Sequence, residues 1–413
     1  MRKRRSSYFV YIIIAFSLVL ALFYESFQPR NIETVSIISG VGFEKGENKK
    51  MKMTVQIIRP EKGETGTSTS SCIVISGEGD TVTEASEEIV RKTGSALFWA
   101  HCSIILLRTD FAADEDVMPY MDMFFRSLNF RNTASVIVSE DAPGDILNSD
   151  TVFEMVSAFG IQRLLDDQDY ESNSVYMSLK KFTKNYYKLS SSTVVAGVAI
   201  SEVRKYTGGN SAGGSSESDK PIRLVVLSPC AVMKKGKFVS YLSQDEFNGY
   251  KWLSDTMSAK IINIKNTPLE SENNEENTLG ISLFGGNCRL VPMYEDGKYI
   301  LKVKIDVKAQ VVSIQNELQA RKITPYKLEN RYREYARLAE EYIKNDVNAA
   351  WTKMIETDSD YCNIQDLFYG KFSKEWQNSR PETDSAMLSG ITLEYDINVN
   401  FISGGLNKRF KLR

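Results

Sequence analysis

An uncharged apolar run near the N-terminus constrains this chain more than any other feature. Basic residues 2–5 precede the run, which extends over residues 6–24 before Glu25 ends it. Its core, residues 8–24, contains 17 residues, which as a helix would measure about 25 Å at ~1.5 Å per residue. That length is near the lower limit for crossing a hydrocarbon layer about 30 Å thick. The run therefore predicts a transmembrane helix.

The charges beside the run predict its orientation. Lysine and arginine are enriched on the cytoplasmic side of membrane segments, so the N-terminus should be cytoplasmic and the rest of the chain extracytoplasmic. The basic flank consists of Arg2, Lys3, Arg4 and Arg5. The anchor residues that we expect to contact lipid are Phe9, Ile12, Ile13, Phe16, Leu20 and Tyr24.

Two alternatives to an uncleaved anchor stay open. A cleavable signal peptide needs small residues at the end of its apolar region, whereas this run ends Leu-Ala-Leu-Phe-Tyr over residues 20–24. A buried core helix would not need the basic cluster that flanks the run. We therefore favour the uncleaved anchor.

The length and the charge of the chain limit what its body can be. A chain of 413 residues exceeds one comfortable core and predicts two or three folded units. Beyond residue 30 the chain carries 46 basic and 52 acidic residues, a formal net charge of −6. This mildly acidic body has no electrostatic reason to bind the phosphates of nucleic acid.

Polar, low-complexity stretches suggest where the units end. Residues 207–219 are rich in Gly and Ser, a composition that buries too little apolar surface to order itself. A second polar stretch covers residues 266–277. Thr324 as N-cap and Pro325 at the first helical position begin the longest predicted helix.

These patterns predict an α+β fold in which an N-terminal transmembrane helix precedes three consecutive mixed α/β domains. The predicted divisions are 1–30 for the basic tail and anchor, 31–150 for domain 1, 151–270 for domain 2 with a flexible loop at 205–221, and 271–413 for domain 3 with a long helix at 325–354. Apolar runs predict a continuous strand over residues 97–107 and a helix over 153–165.

No catalytic or metal motif emerges. The single histidine, His101, is followed by Cys102, but neighbouring side chains in a strand point to opposite faces and could not form a nucleophile–base pair. One histidine also excludes a multi-histidine zinc site. The five cysteines are far apart in sequence. We therefore predict no catalytic residue, no metal and no cofactor, although a carboxylate pair among 53 acids could still serve glycan hydrolysis.

Several short motifs occur in a characteristic order. Residues 32–45 read Ile-Glu-Thr-Val-Ser-Ile-Ile-Ser-Gly-Val-Gly-Phe-Glu-Lys, residues 76–88 begin Ser-Gly and are followed by Ala-His at 100–101, and residues 231–242 begin Ala-Val-Met-Lys. A helix with Gly249 and Trp252 comes next, and residues 366–368 with Trp376 match more loosely. Together these motifs resemble the Ger(x)C family, the C subunits of bacterial nutrient-germinant receptors.

The resemblance implies a non-catalytic, membrane-anchored extracytoplasmic subunit at the spore inner membrane. It also implies polytopic A and B subunits as partners, and a role in germination signalling or receptor assembly. Typical members carry a lipid-bearing cysteine after the signal, whereas no cysteine occurs between residues 1 and 71 here. We expect the helix to replace the lipid, since a transmembrane helix holds more firmly than one acyl chain. A membrane-anchored envelope hydrolase and a general extracytoplasmic adaptor are the alternatives.

Overall fold

The computed structural model describes residues 14, 16–17, 35–59, 72–126, 129–166, 174–203, 221–265, 278–315, 325–379 and 381–402. The predicted anchor, the predicted loop at 205–221 and the linker at 266–277 lie almost entirely outside these residues.

Nine of the described strands form one sheet. Its strands are β1 (Val35–Lys45), β2 (Met51–Ile58), β3 (Cys72–Gly79), β4 (Ala96–Phe98), β5 (Ile104–Arg108), β6 (Ser135–Ser139), β7 (Ser192–Val203), β8 (Ile222–Lys234) and β9 (Lys237–Tyr241). The order across the sheet is β3-β2-β1-β5-β6-β7-β8-β9, with β4 beside the start of β1. Strands β1, β5, β6 and β7 run parallel, while the flanking hairpins are antiparallel.

Both faces of this first sheet are covered by helices. In order along the chain these are α1 (Val82–Thr93), α2 (Thr109–Asp114), α3 (Met118–Arg126), α4 (Pro143–Leu147), α5 (Ser157–Asp166) and α6 (Leu179–Tyr186). The side chains of β5 point alternately into two cores on the two faces of the sheet. Ile104 and Leu106 belong to one core, and Ile105 and Leu107 belong to the other. Burial on both faces explains why the central strands are continuously apolar.

Gly42, in the first of the sequence motifs, has a packing role. A Cβ atom at Gly42 would lie 2.3 Å from the Cβ of Pro143, so only glycine lets α4 lie this close to β1. Thr81 caps α1 by accepting the amide of Glu84 at 3.2 Å.

A second sheet contains four strands in the order β10-β11-β12-β13. The elements of this part of the chain are α7 (Gln244–Leu253), β10 (Ala259–Lys265), β11 (Thr278–Glu295), β12 (Lys298–Gln315), α8 (Pro325–Glu356), α9 (Ile364–Lys371), α10 (Ser373–Ser379), α11 (Asp384–Ser389) and β13 (Ile391–Phe401). The inner face of this sheet packs on α7 and α8, and its core is continuous with one face of the first sheet.

The three-domain division stays a prediction. Strands on both sides of the predicted boundary at 150 pair in one sheet, because β6 pairs with β7. Asp150 itself bridges to Leu224, so the chain on either side of this boundary shares backbone hydrogen bonds.

Two predictions of secondary structure were wrong. The predicted strand over residues 97–107 is broken into β4 and β5 by a turn in which the Cys102 amide donates to the Trp99 carbonyl at 3.0 Å. The turn buries Trp99 against Phe124, with ring centroids 5.5 Å apart. The predicted helix over 153–165 begins only at Ser157, since the Thr151 hydroxyl bonds to the Glu154 carbonyl and holds residues 151–154 in a turn.

Candidate functional site at the junction of the two sheets

Helix α7 connects the two sheets and is buried along most of its length. Its N-terminus is a capping box, in which the Glu246 amide donates to the Ser243 hydroxyl at 3.4 Å and the Ser243 amide donates to the Glu246 carboxylate at 2.7 Å. Every residue over 247–253 is buried. A helix buried all round lies between layers rather than on a surface, and the buried apolar residues of α7 belong to the core that is continuous between the two sheets.

Gly249 allows α7 and α8 to approach closely. A Cβ atom at this position would lie 2.0 Å from the carbonyl oxygen of Asp346 and 2.7 Å from the Cβ of Ala350. Both distances are shorter than van der Waals contact. The motif that contains Gly249 and Trp252 therefore specifies the packing of the junction.

Asp346 places a buried carboxyl group against α7. Burial raises the pKa of Asp346 to about 7, with Asp245 adding to the rise, while Lys260 and the side-chain N–H groups of Asn248 and Trp252 oppose it. Lys260 also donates a hydrogen bond to the Asn248 side chain. The junction thus holds an acid that changes protonation near neutral pH.

Lys234, the last residue of β8, holds two carboxylates of the C-terminal unit. Its ammonium lies 2.9 Å from Asp358 and 3.1 Å from Asp384, and it also donates to the Asp358 carbonyl. Burial disfavours the charged form of Asp358, but the Ser385 amide and Lys234 outweigh this effect and lower its pKa. We call Lys234, Asp358 and Asp384 the junction ion cluster.

Asp360 extends this cluster into the core. Its carboxylate accepts the amides of Ile364 at 2.9 Å and Gln365 at 2.8 Å, at the start of α9. Asp384 accepts the Asp360 amide at 3.2 Å and the Gln365 side-chain amide at 2.5 Å. Burial raises the pKa of Asp360 to about 7 despite the two backbone donors. These groups lock the loop after α8 against the end of β8.

Protein groups hold the carboxylates at the junction. The carboxylates of Asp358, Asp360 and Asp384 are bound to a lysine, to backbone amides or to a side-chain amide. Within the described part of the chain, no group of histidine, cysteine, aspartate or glutamate residues could hold a metal ion. The arrangement can couple the two sheets mechanically.

An open cleft of about 450 Å³ lies at the carboxyl ends of the parallel strands, between α1 and α3. Its charged lining residues are bound to neighbours. Lys50 lies 3.2 Å from Glu115, Asp80 lies 3.0 Å from Lys49, and Arg126 lies 2.5 Å from Asp122. Glycoside hydrolysis uses two carboxylates about 5–9.5 Å apart, and in this cleft Asp80, Glu115 and Asp122 are each paired with a basic side chain.

The residues predicted to form the membrane anchor and its basic flank lie almost entirely outside the described part of the chain. Arg2, Lys3, Arg4, Arg5, Phe9, Ile12, Ile13, Leu20 and Tyr24 lie outside the described residues, whereas Phe16 is helical and exposed. No helix within the described residues is long and apolar enough to cross a membrane.

His101 and Cys102 are separated as predicted, but for another reason. His101 is exposed in the turn before β5, and Cys102 is buried. Burial raises the pKa of the Cys102 thiol to about 12. The expectation that His101 lies within a strand was therefore wrong. The junction ion cluster was not predicted, because its members are far apart in sequence and each resembles an ordinary surface charge.

Comparisons with known proteins match most of the chain to spore germination proteins. The family model for the spore germination protein N-terminal domain matches residues 28–200, and the model for spore germination B3/GerAC-like C-terminal domains matches residues 228–405. Spore germination protein KC of Bacillus subtilis (strain 168) is 20% identical over 379 residues, covering 89% of each chain. The putative spore germination protein YfkR of the same organism is 19% identical over 372 residues, covering 87% of this chain and 89% of its own.

A solved structure shares the fold. The crystal structure of the GerBC protein superposes with a TM-score of 0.53 at 14% identity, covering 88% of this chain and 97% of GerBC. The predicted mixed α/β architecture is thereby confirmed.

Proposed function

Because the chain belongs to the Ger(x)C family of spore germination proteins, we propose that it is a non-catalytic, extracytoplasmic subunit of a nutrient-germinant receptor. The observation that carries this proposal is the match of both family models, which together cover residues 28–200 and 228–405. Its role would be in germination signalling or in assembly of the receptor.

The proposed location is the spore inner membrane, with the N-terminus in the cytoplasm. Residues 8–24 would form a single transmembrane helix, and residues 2–5 would stay on the cytoplasmic side. The absence of cysteine between residues 1 and 71 supports anchoring by this helix instead of by a lipid.

The packing of the described residues supports a binding role for the body. Helix α7, Gly249 and the junction ion cluster tie the two sheets together, so a force or contact applied to one sheet would be transmitted to the other. The partners in this proposal are the polytopic A and B subunits, and neither a nucleic acid nor a cofactor is required.

Co-purification from spore membranes tests the proposal. A tagged full-length chain, solubilised in mild detergent, is expected to retain polytopic membrane proteins of the receptor. A version tagged after Arg413 and an internally tagged version control for the position of the tag. Recovery of the chain alone, from spores whose receptor subunits remain intact, would contradict the proposal.

A further inference from the structure

Three apolar side chains extend into solvent from the segment between α4 and α5. Val152, Phe153 and Met155 are 64%, 75% and 73% exposed. Single exposed apolar residues are ordinary on protein surfaces, but here three lie within four consecutive positions, and clustered exposed apolar residues are found at interaction sites. We call residues 152–155 the apolar loop.

Hydrogen bonds within the apolar loop and just before it hold it in place. The Thr151 hydroxyl donates to the Glu154 carbonyl at 2.7 Å. The Asp150 amide donates to the Arg223 carbonyl at 2.9 Å, and the Val225 amide donates to the Asp150 carbonyl at 3.0 Å. A preformed loop loses little conformational entropy on binding, so its apolar surface is ready for a partner.

Arg163 fixes the orientation of Phe153. Its guanidinium group lies 4.8 Å from the centroid of the Phe153 ring and 3.4 Å from the Glu154 carboxylate. One face of the ring is therefore covered, while the side chain as a whole stays exposed. Aromatic residues beside arginine are frequent at the energetic centres of protein interfaces.

The charges around the apolar loop are predominantly acidic. The Arg223 guanidinium lies 3.7 Å from the Asp145 carboxylate. In the backbone pairing of β7 with β8, Arg223 stands opposite Glu202. Among the described residues, the charged side chains in and around the loop are Asp145, Asp150, Glu154, Glu202, Arg163 and Arg223, which sum to a formal charge of −2. Such a surface is repelled by anionic lipid and complements a basic protein surface.

The position of the apolar loop in the first sheet follows from the strand register. The pairing of β1, β5, β6 and β7 places Gly42 level with Ala196. Asp150 bridges to Leu224, which pairs with Ser201. Val35 and Ser201 are therefore separated by roughly 40 Å along the strands, at ~3.3 Å per residue. The apolar loop and the start of β1 therefore lie at opposite ends of the first sheet.

We infer that the apolar loop is the docking site for a protein partner whose surface offers an apolar groove bordered by lysine or arginine. Phe153 and Met155 would enter the groove, and the surrounding carboxylates would face its basic border. The inference rests on the proposed function, which requires the exported body to bind other subunits of a receptor.

Photo-crosslinking at Phe153 tests the inference in the full-length chain. Phe153 is replaced by a photoreactive phenylalanine analogue, and spore membranes are irradiated before extraction. Tyr187 is the matched control, since it is 76% exposed and lies at the end of α6. We expect a protein adduct at residue 153 and none at residue 187. The peptide of the partner that is crosslinked to residue 153 should be apolar and flanked by lysine or arginine.

Substitution supplies the second part of the test. Phe153→Asp and, separately, Met155→Asp are expected to weaken retention of the crosslinked protein by about 30-fold, the effect of losing a contact worth ~2 kcal/mol. Tyr187→Asp should leave retention unchanged. Because these side chains are exposed, all three variants should accumulate and resist proteolysis like the unaltered chain.

Four results would overturn the inference: an adduct with lipid, an adduct with a second copy of the chain, equal adducts at residues 153 and 187, or full retention by both loop variants. Failure of the proposed function is a different result. It would appear as normal nutrient germination in a deletion strain, even where the crosslinked partner depends on Phe153.

Discussion

Lys234 at the end of β8 lies 3.1 Å from the carboxylate of Asp384 at the start of α11, and the same ammonium lies 2.9 Å from Asp358. Lys234 and Asp358 are 124 residues apart in sequence. One cation of the first sheet therefore holds two acids of the C-terminal unit, and the contact exists only when both are folded and packed together. The junction ion cluster is a direct reporter on the coupling of the two sheets.

Replacing Lys234 with methionine should destabilise the junction. Asp384 is 10% exposed, and breaking its largely buried pair with Lys234 costs about 3 kcal/mol in the free energy of unfolding. Asp358 is 43% exposed, so solvent screens its pairing and it adds little. Lys302→Met is the control, because Lys302 lies 3.6 Å from Asp396 on an exposed sheet face and should cost less than about 1 kcal/mol. Denaturant unfolding of the two full-length variants measures both values, and equal losses would contradict the prediction.

The raised pKa of Asp346 predicts a dependence of stability on pH. The folded state retains a proton on Asp346 up to about pH 7, whereas the unfolded chain loses it near pH ~4. The free energy of unfolding should therefore decrease as pH rises through this window, by about 1.4 kcal/mol per pH unit for one proton.

Asp346→Asn should remove this contribution, which is measured by comparing unfolding curves between about pH 4 and pH 7. Asp296→Asn, in the exposed turn between β11 and β12, is the control and should keep the full slope. An unchanged slope in Asp346→Asn would show that the acid is not buried as described.

Gly249→Ala should disrupt the contact of α7 with α8. The added methyl would lie 2.0 Å from the Asp346 carbonyl oxygen, and forcing such a group into a packed core costs about 1–3 kcal/mol or more. Gly370→Ala is the matched control, because a methyl there meets nothing within 4 Å and α9 should gain up to about 1 kcal/mol. Thermal unfolding of both variants measures these changes in stability. If Gly249→Ala unfolded like the unaltered chain, α7 and α8 could separate without a loss in the free energy of unfolding, which would contradict the prediction.

Mass spectrometry of the mature N-terminus tests the proposed anchor. An uncleaved helix predicts a terminus at Met1 or Arg2 and no acyl modification. A new terminus after residue 20 would show that the segment is a cleaved signal.

Local signals in the sequence predicted local structure well. The predicted start of the long helix at Pro325 depends on neighbours within a few positions. The prediction gave 325–354, and the helix occupies Pro325–Glu356.

The features that depend on distant residues were not predictable in the same way. Trp99 ends β4 because Phe124 and Phe130 form a cluster around it, and nothing adjacent to Trp99 signals that turn. Phe153 has the spacing of a helical core residue, yet the Thr151 hydroxyl holds it in a loop. The junction ion cluster likewise joins residues whose proximity arises only from the arrangement of the two sheets.

The central claim, that this chain is a subunit of a nutrient-germinant receptor, is tested most directly by nutrient germination of spores from an in-frame deletion strain. Loss of optical density is followed across a panel of amino acids and sugars, with the full-length chain restored from a second locus as the control. We predict a slow or absent response to at least one nutrient, recovered on complementation. Unchanged germination with every nutrient would contradict the claim.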